Sequence, residues 1–310
     1  MAFQSFQAGR LGAGPDSLLD VARAVATEGQ LPDPAITQAA REAAPSLLEV
    51  EPDRLRAGIE AVIMGRGLDL GLQWMHDSGV LRVLLPELEA TVDFSQEAGR
   101  RHKDVWEHTK QVVRQSVPTP AVRWAALLHD VGKVPTRVML PDGRVTFHRH
   151  AEIGARMFDP IAKRLGFDRP FRQKVRFLIL HHLRANAYEA GWTDAAVRRF
   201  DHEMGGELDD LLDLSRADVT SRRPGRRQEA VANIHALKER ILAIRELDAR
   251  VPPLPPGLGN AIMEAFGLAP SRRIGDIRKL CQDAVERGEL EERRDADYYV
   301  DYLRRSGVTG

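Results

Sequence analysis

Six imidazole and carboxylate groups stand in this sequence where hydrophobic residues would be expected: His108, the adjacent pair His129-Asp130, His150, His182 and Asp218. His108 follows Val105 by three residues and precedes Val112 by four, so on a helix it shares their apolar face. His129 and Asp130 close the apolar run "AVRWAALL", with Gly132 read as a turn and Lys133 within one helical turn of the pair. His150 stands in "FHRHAEIGARM", after a strand-like stretch. His182 continues the stripe Val175, Leu178 and Ile179, whereas His181 lies about 100° around the helix, so His182 is the preferred inward group. Asp218 likewise extends a stripe through Leu211 and Leu214. Any one of these suits a hydrogen-bonded core residue or a helix cap. All six together suit a divalent ion, because buried carboxylates without cationic partners are costly and a metal offsets that cost. Mixed imidazole and carboxylate donors point to Mn, Ni, Fe, Co or Zn, with Mg disfavoured. One or two ions are expected; a pair roughly 3.5–4 Å apart would make water a nucleophile, clamp phosphoryl oxygens and support in-line displacement. Asp130 and Lys133 are then the catalytic candidates, with Lys133 offsetting phosphate charge or helping the leaving group depart.

The elements that must position these groups read as helices. From Asp16 to about Glu89 several short helices are broken at "LPDP", "APS" and "EPD", and Asp53 is placed to cap the one carrying Leu55, Ile59, Val62 and Ile63. A last helix there, "LGLQWMHDSGVLRVLLPEL", is expected to end at or just beyond Pro86. The central part is helical except for "RVMLPDGRVTF", where β-prone triplets flank Pro141-Asp142-Gly143 as a small hairpin. A long amphipathic helix carries Val231, Ile234, Leu237, Ile241 and Ile244 until "VPPLPPG" stops it, and residues 258–305 form a small helical tail. The fold class is all-α with one small hairpin. The expected spans are a loose lead-in (1–14), an N-terminal helical module (15–90), a central domain (91–228) and a C-terminal helical module (229–310).

Composition narrows the classes. Lysine plus arginine and aspartate plus glutamate number 45 each in 310 residues, so net charge gives no general reason to infer nucleic-acid binding. Local arginine clusters occur in "RRPGRR" and at Arg198-Arg199. A single cysteine, Cys281, read as a buried helix thiol, excludes a cysteine-rich metal cage. No run approaches the roughly 20 apolar residues of a membrane span, and "MAFQSFQAGR" lacks a secretory apolar core, so no membrane partner and a cytoplasmic location are expected. Nothing in the sequence specifies an oligomeric state.

The order His108, His129-Asp130, Lys133, His150, His182, Asp218, with "LLHDVGK", "FHRHAEIGA" and "ADVTSR", resembles the HD superfamily of metal-dependent phosphohydrolases. That resemblance implies that His108, His129, Asp130 and Asp218 hold one ion and that His150 and His182 allow a second. Beyond this domain, "DRLRAGIEAVIMGRGLDLGLQWMHDSGVLRVLLPEL", "HKDVWEHT" and "PPLPPGLGNAIMEAFGLAPSRRIGDIRKLCQDAVERGEL" are similar to the body, HD start and C-terminal module of bacterial CCA-adding tRNA nucleotidyltransferases. The GGxVRD-type motif and Asp-x-Asp pair of that family's catalytic head do not precede residue 15, so CCA addition by this chain alone is not expected. What the resemblance implies is hydrolysis of phosphoesters of nucleotides or RNA ends: 2′,3′-cyclic phosphodiesterase, 2′-nucleotidase or phosphatase chemistry. His102, Lys133, Arg184 and Arg222 are the candidates for substrate contacts, His102 alternatively orienting His108. The alternatives are a non-catalytic tRNA-binding protein, a partner of a separate nucleotidyltransferase head, and a dNTP or cyclic-dinucleotide hydrolase.

Overall fold

The computed structural model describes residues 14–94, 104–221, 223, 225–250 and 252–307. The expected lead-in therefore lies, apart from Gly14, outside the described residues. The described chain is helical with one two-stranded hairpin, as its sequence pattern requires. It divides into two compact units, one built from residues 1–187 and 209–231 and the other from 188–208 and 232–310.

The first unit begins with α1 (Ser17–Glu28), α2 (Pro34–Ala43), α3 (Pro52–Ile63), α4 (Leu68–Asp77), α5 (Val80–Leu84) and α6 (Pro86–Glu89). Leu18, Leu19, Val21, Ala22, Val25 and Ala26 form the buried stripe of α1, which packs on α3 and α4. Glycine makes that packing close: a Cβ on Gly71 would stand 2.7 Å from the Ala26 Cβ, and one on Gly58 2.7 Å from Leu19 Cδ1. Two expectations are corrected here. Asp53 does not cap α3; Glu51 occupies the cap position without a side-chain bond, Pro52 starts the helix, and Asp53 sits in the first turn. The helix expected over 70–88 is three helices, because Gly79 takes φ +74° and Leu85, preceding Pro86, leaves the helical region at φ −135°, ψ 63°.

Next come α7 (Val105–Gln115), α8 (Pro120–Leu128), α9 (Lys133–Thr136), β1 (Val138–Met139), β2 (Val145–Thr146), α10 (His150–Arg164) and α11 (Arg169–His181). After them α12 (Asp194–Met204) belongs to the second unit, and α13 (Leu208–Asp218) returns the chain to the first. The strands pair antiparallel, Val138 with Thr146 and Met139 with Val145, around a turn closed by Gly143 at φ +80°. The centre of this unit is α8, buried on every side from Ala121 to Leu128 and packed on α7, α11 and α3. Its one charge, Arg123, is buried and donates to the carbonyls of Ile63, Ser116 (3.2 Å) and Val117 (3.4 Å), where α3 and α7 end. Carbonyls at helix C-termini carry partial negative charge, so they suit a guanidinium in a core position.

The second unit holds α12, most of α14 (Arg226–Arg250), α15 (Leu258–Phe266), α16 (Arg272–Glu286) and α17 (Ala296–Arg305). Ile234, Leu237, Ile241 and Ile244 are the buried stripe of α14. Leu258, Ile262, Ile277, Tyr299 and Leu303 pack around Cys281, whose burial pushes its thiol up to about 11. Arg198 of α12 is paired with Asp248 (2.6 Å) and Glu292.

Candidate metal centre

Six groups converge from five segments of the first unit. The buried face of α7 supplies His108, the end of α8 supplies His129 and Asp130, α10 begins with His150, α11 runs into His182, and α13 ends at Asp218. Rigid helix ends suit this task, since each is anchored by core packing up to the residue that leaves it. Two triads result, His108-His129-Asp218 and Asp130-His150-His182, with the potential donor atoms of each within 4.8 Å of one another. His108 Nε2 lies 3.2 Å from His129 Nε2 and 3.0 Å from Asp218 Oδ1. Across the site His150 Nε2 lies 3.3 Å from His182 Nε2. Asp130 joins the triads: its Oδ2 is 3.2 Å from His129 Nε2 and 3.4 Å from His108 Nε2, and its Oδ1 is 3.5 Å from His150 Nε2.

The backbone settles which nitrogen of each ring faces inward. Nδ1 of His129, His150 and His182 donates to the carbonyls of Ala126 (2.8 Å), Phe147 (2.9 Å) and Ile179 (2.7 Å), each three residues back. A neutral imidazole with Nδ1–H so committed presents a bare lone pair at Nε2. Two such lone pairs facing at 3.3 Å, as in His150 and His182, repel unless a cation lies between them. Each triad is thus a set of groups that could hold a metal ion.

Charge points the same way. Burial works against protonation of His129, but Asp130 and Asp218 overcome it and raise the imidazole to about 10. Burial also opposes ionisation of both carboxylates, yet His129 and Lys133 hold Asp130 well below the usual carboxylate range, and His108 and His129 do the same for Asp218. His182 is pushed down to about 4 by burial, with His129 adding to the effect, and burial also lowers His150. The two carboxylates thus demand positive charge beside His129, which a proton supplies in the metal-free chain and a divalent ion would supply in its place.

Gly132 has a different purpose from the turn read in the sequence. Its φ of −67° and ψ of −14° are open to any residue. Space is what demands glycine: an added Cβ would lie 2.1 Å from the His150 carbonyl oxygen and 2.6 Å from the Gly154 nitrogen. The turn carrying His129 and Asp130 is thereby pressed against the start of α10, backbone to backbone. Lys133 Nζ reaches Asp130 Oδ2 at 2.6 Å and lies 5.7 Å from the centre of the Phe147 ring.

Two other candidates, His181 and Arg184, fall outside this cluster. His181 packs its ring on Phe177, 4.3 Å between centroids, while adjacent His182 enters the site. Arg184 is exposed, one turn past α11. His102 and Arg222 lie outside the described residues. Thr220, not singled out in the sequence, places Oγ1 3.0 Å from His108 Nδ1 and so orients that ring. Its position two residues after Asp218 in "ADVTSR" is the only sequence signal for it.

All six groups lie within the span of a matching family model. The HD domain model matches residues 104–223, and a model described as "Probable RNA and SrmB- binding site of polymerase A" matches residues 32–91. The chain is 30% identical over 302 residues to the A-adding tRNA nucleotidyltransferase of Deinococcus radiodurans, an alignment covering 94% of this chain and 68% of that protein. It is 30% identical over 259 residues to the CC-adding tRNA nucleotidyltransferase of Thermus thermophilus, covering 81% and 57%. Similarity to the multifunctional CCA protein of Tolumonas auensis, 32% over 124 residues, spans 38% of this chain and 29% of that one.

Proposed function

The chain belongs to the tRNA nucleotidyltransferase family, and from that premise we propose that its HD domain is a metal-dependent phosphohydrolase acting on phosphoesters of nucleotides or RNA ends. The observation that carries this reading is the bridging place of Asp130, whose two carboxylate oxygens stand within 3.5 Å of Nε2 donors from both triads. His108, His129 and Asp218 would hold one ion and Asp130, His150 and His182 a second, Asp130 being shared. An ion held there would supply Lewis acidity towards a phosphoryl oxygen and lower the pKa of water. The protein's part is positioning: three carbonyl bonds fix the rings, Thr220 fixes the fourth, and buried helix ends set their spacing. Lys133 Nζ stands 2.6 Å from Asp130 Oδ2, where it offsets anionic charge and can meet a phosphoryl or departing oxygen. Arg184, His102 and Arg222 are the further substrate-contact candidates of this proposal.

The test is hydrolysis of bis-p-nitrophenyl phosphate by the purified protein with Mn or Ni, alongside elemental analysis. Turnover by the wild type and its loss in Asp130→Ala are expected. Equal turnover in the variant, or protein that retains no metal, refutes the reading. A panel of 2′,3′-cyclic nucleotides, 2′- and 3′-nucleotides, dNTPs and cyclic dinucleotides then sorts the substrate classes.

A second reading, tRNA binding by the helical modules, is favoured by the family match over residues 32–91. Its test is a tRNA mobility shift that weakens with salt. Lack of any shift at low salt removes this reading. No helix among the described residues is long and apolar enough to cross a bilayer.

A further inference from the structure

A groove of about 380 Å³ opens beside the second triad, of a size that takes small molecules. Val145, Thr146 and Phe147 of the hairpin, Arg149 and His150 at the start of α10, and Leu183, which follows the ligand candidate His182, are among its walls. One wall thus carries a donor of the triad and another adjoins one. Two features of this groove have no explanation within the fold. Thr146 Oγ1 is buried and has no hydrogen-bond partner among the described residues, an arrangement that native structures rarely leave without a ligand or water. Arg149 holds φ +62°, ψ 24°, a left-handed conformation that glycine adopts freely and a bulky side chain resists. Nothing local compensates it: Arg149 makes no side-chain cap bond to α10, and its one ion contact among the described residues, to Glu152, is 3.9 Å long. Its side chain is 70% exposed at the groove. Strain retained at such a place points to a use for the guanidinium itself.

We propose that this groove receives the nucleoside next to the scissile phosphoester and that Arg149 holds the neighbouring phosphate of the strand, so that an RNA end is preferred to a mononucleotide. Phe147 and Leu183 offer apolar surface to a base. Arg149, one residue before His150, supplies a cation a short step from the metal centre, where a mononucleotide has no second phosphate to meet it. The inference rests on the phosphohydrolase reading above for which phosphate lies at the triads.

The test measures binding without turnover. Metal-stripped wild type, Arg149→Gly and Arg149→Lys are titrated calorimetrically with adenosine 3′-monophosphate and with the dinucleotide ApA carrying a 3′-phosphate. The wild type should favour the dinucleotide about tenfold, Arg149→Gly should erase the preference while leaving mononucleotide binding intact, and Arg149→Lys should keep part of it. Glycine also relieves the left-handed strain, so Arg149→Gly should melt at or above the wild-type temperature. A wild type with no dinucleotide preference, a glycine variant that keeps the preference, or a glycine variant that melts lower each overturns the proposal. Failure to hydrolyse bis-p-nitrophenyl phosphate sinks the phosphohydrolase reading and leaves this binding ratio measurable.

Discussion

Replacing Gly132 by alanine should dismantle the metal centre while leaving the helices around it folded. The new Cβ would lie 2.1 Å from the His150 carbonyl oxygen, so restoring a contact of roughly 3.5 Å pushes the two backbones apart by about 1.4 Å. Neither side yields easily, since His129 and Asp130 are held by a helix buried all round and His150 opens a 15-residue helix packed on α11. Overpacking of this kind costs about 1–3 kcal/mol, which for a domain of this size lowers the melting temperature by a few degrees per kcal/mol. The functional loss should be greater. Metal–ligand distances tolerate about ±0.2 Å, and a misplacement near 1 Å is worth about 100-fold in rate. Circular dichroism melts, metal content by elemental analysis and hydrolysis of bis-p-nitrophenyl phosphate read the three effects, with Gly191→Ala as control because its Cβ would meet nothing within 4 Å. A Gly132→Ala protein with wild-type metal content and turnover would refute the claim that this backbone contact sets the site.

Other perturbations separate the parts of the fold. His150→Ala removes a donor from one triad only and should lower metal content by one ion, whereas Asp130→Ala, which touches both triads, should lose both; equal losses would contradict the bridging role. Arg123→Met strips the partner from three carbonyls at the ends of α3 and α7 and should destabilise the protein by about 3 kcal/mol in urea, an unchanged midpoint counting against the account. In metal-stripped protein, His182 at about 4 against an ordinary 6.5 means that below pH 6.5 the unfolded chain binds a proton the folded one refuses, so stability falls as pH drops towards 4. His129 at about 10 works in the opposite sense: its contribution is complete below 6.5 and is lost as pH rises towards 10. Denaturation midpoints should therefore peak near pH 6.5, and a monotonic profile would show that the metal-free electrostatics differ. Saturation with Mn at a hundredfold above its dissociation constant should add about 2.7 kcal/mol.

The helical class and the hairpin could be read from periodicity, because a 3.6-residue stripe and a Pro-Asp-Gly turn each have one economical conformation. The choice of His182 over His181 followed from the same stripe, and the structure turns His182 towards His150 while His181 packs on Phe177. What periodicity could not supply was anything set by contact between distant segments. Gly132 looked like a turn glycine because its clash partner, the His150 carbonyl, is reached only after the hairpin folds back. Thr220 finds His108 across 112 residues. The breaks at Gly79 and Leu85 were hidden because the apolar pattern runs through them, the first being a matter of backbone angle and the second of the proline that follows. Arg149 was not singled out at all, because sequence does not report the sign of φ.

The spread of the site along the chain has a consequence for its biosynthesis. During translation α7 and α8 emerge before α10, α11 and α13, and His108 meets His129 across 21 residues. The partner that completes this first triad, Asp218, emerges only with the end of α13, close to the Thr220 that reaches back 112 residues to His108. The other triad is finished earlier, when α11 delivers His182 to His150 across 32 residues. A nascent chain can thus offer one three-donor pocket while the other still lacks its carboxylate, so the two would fill in sequence. Uptake at the His108 triad then marks the arrival of α13.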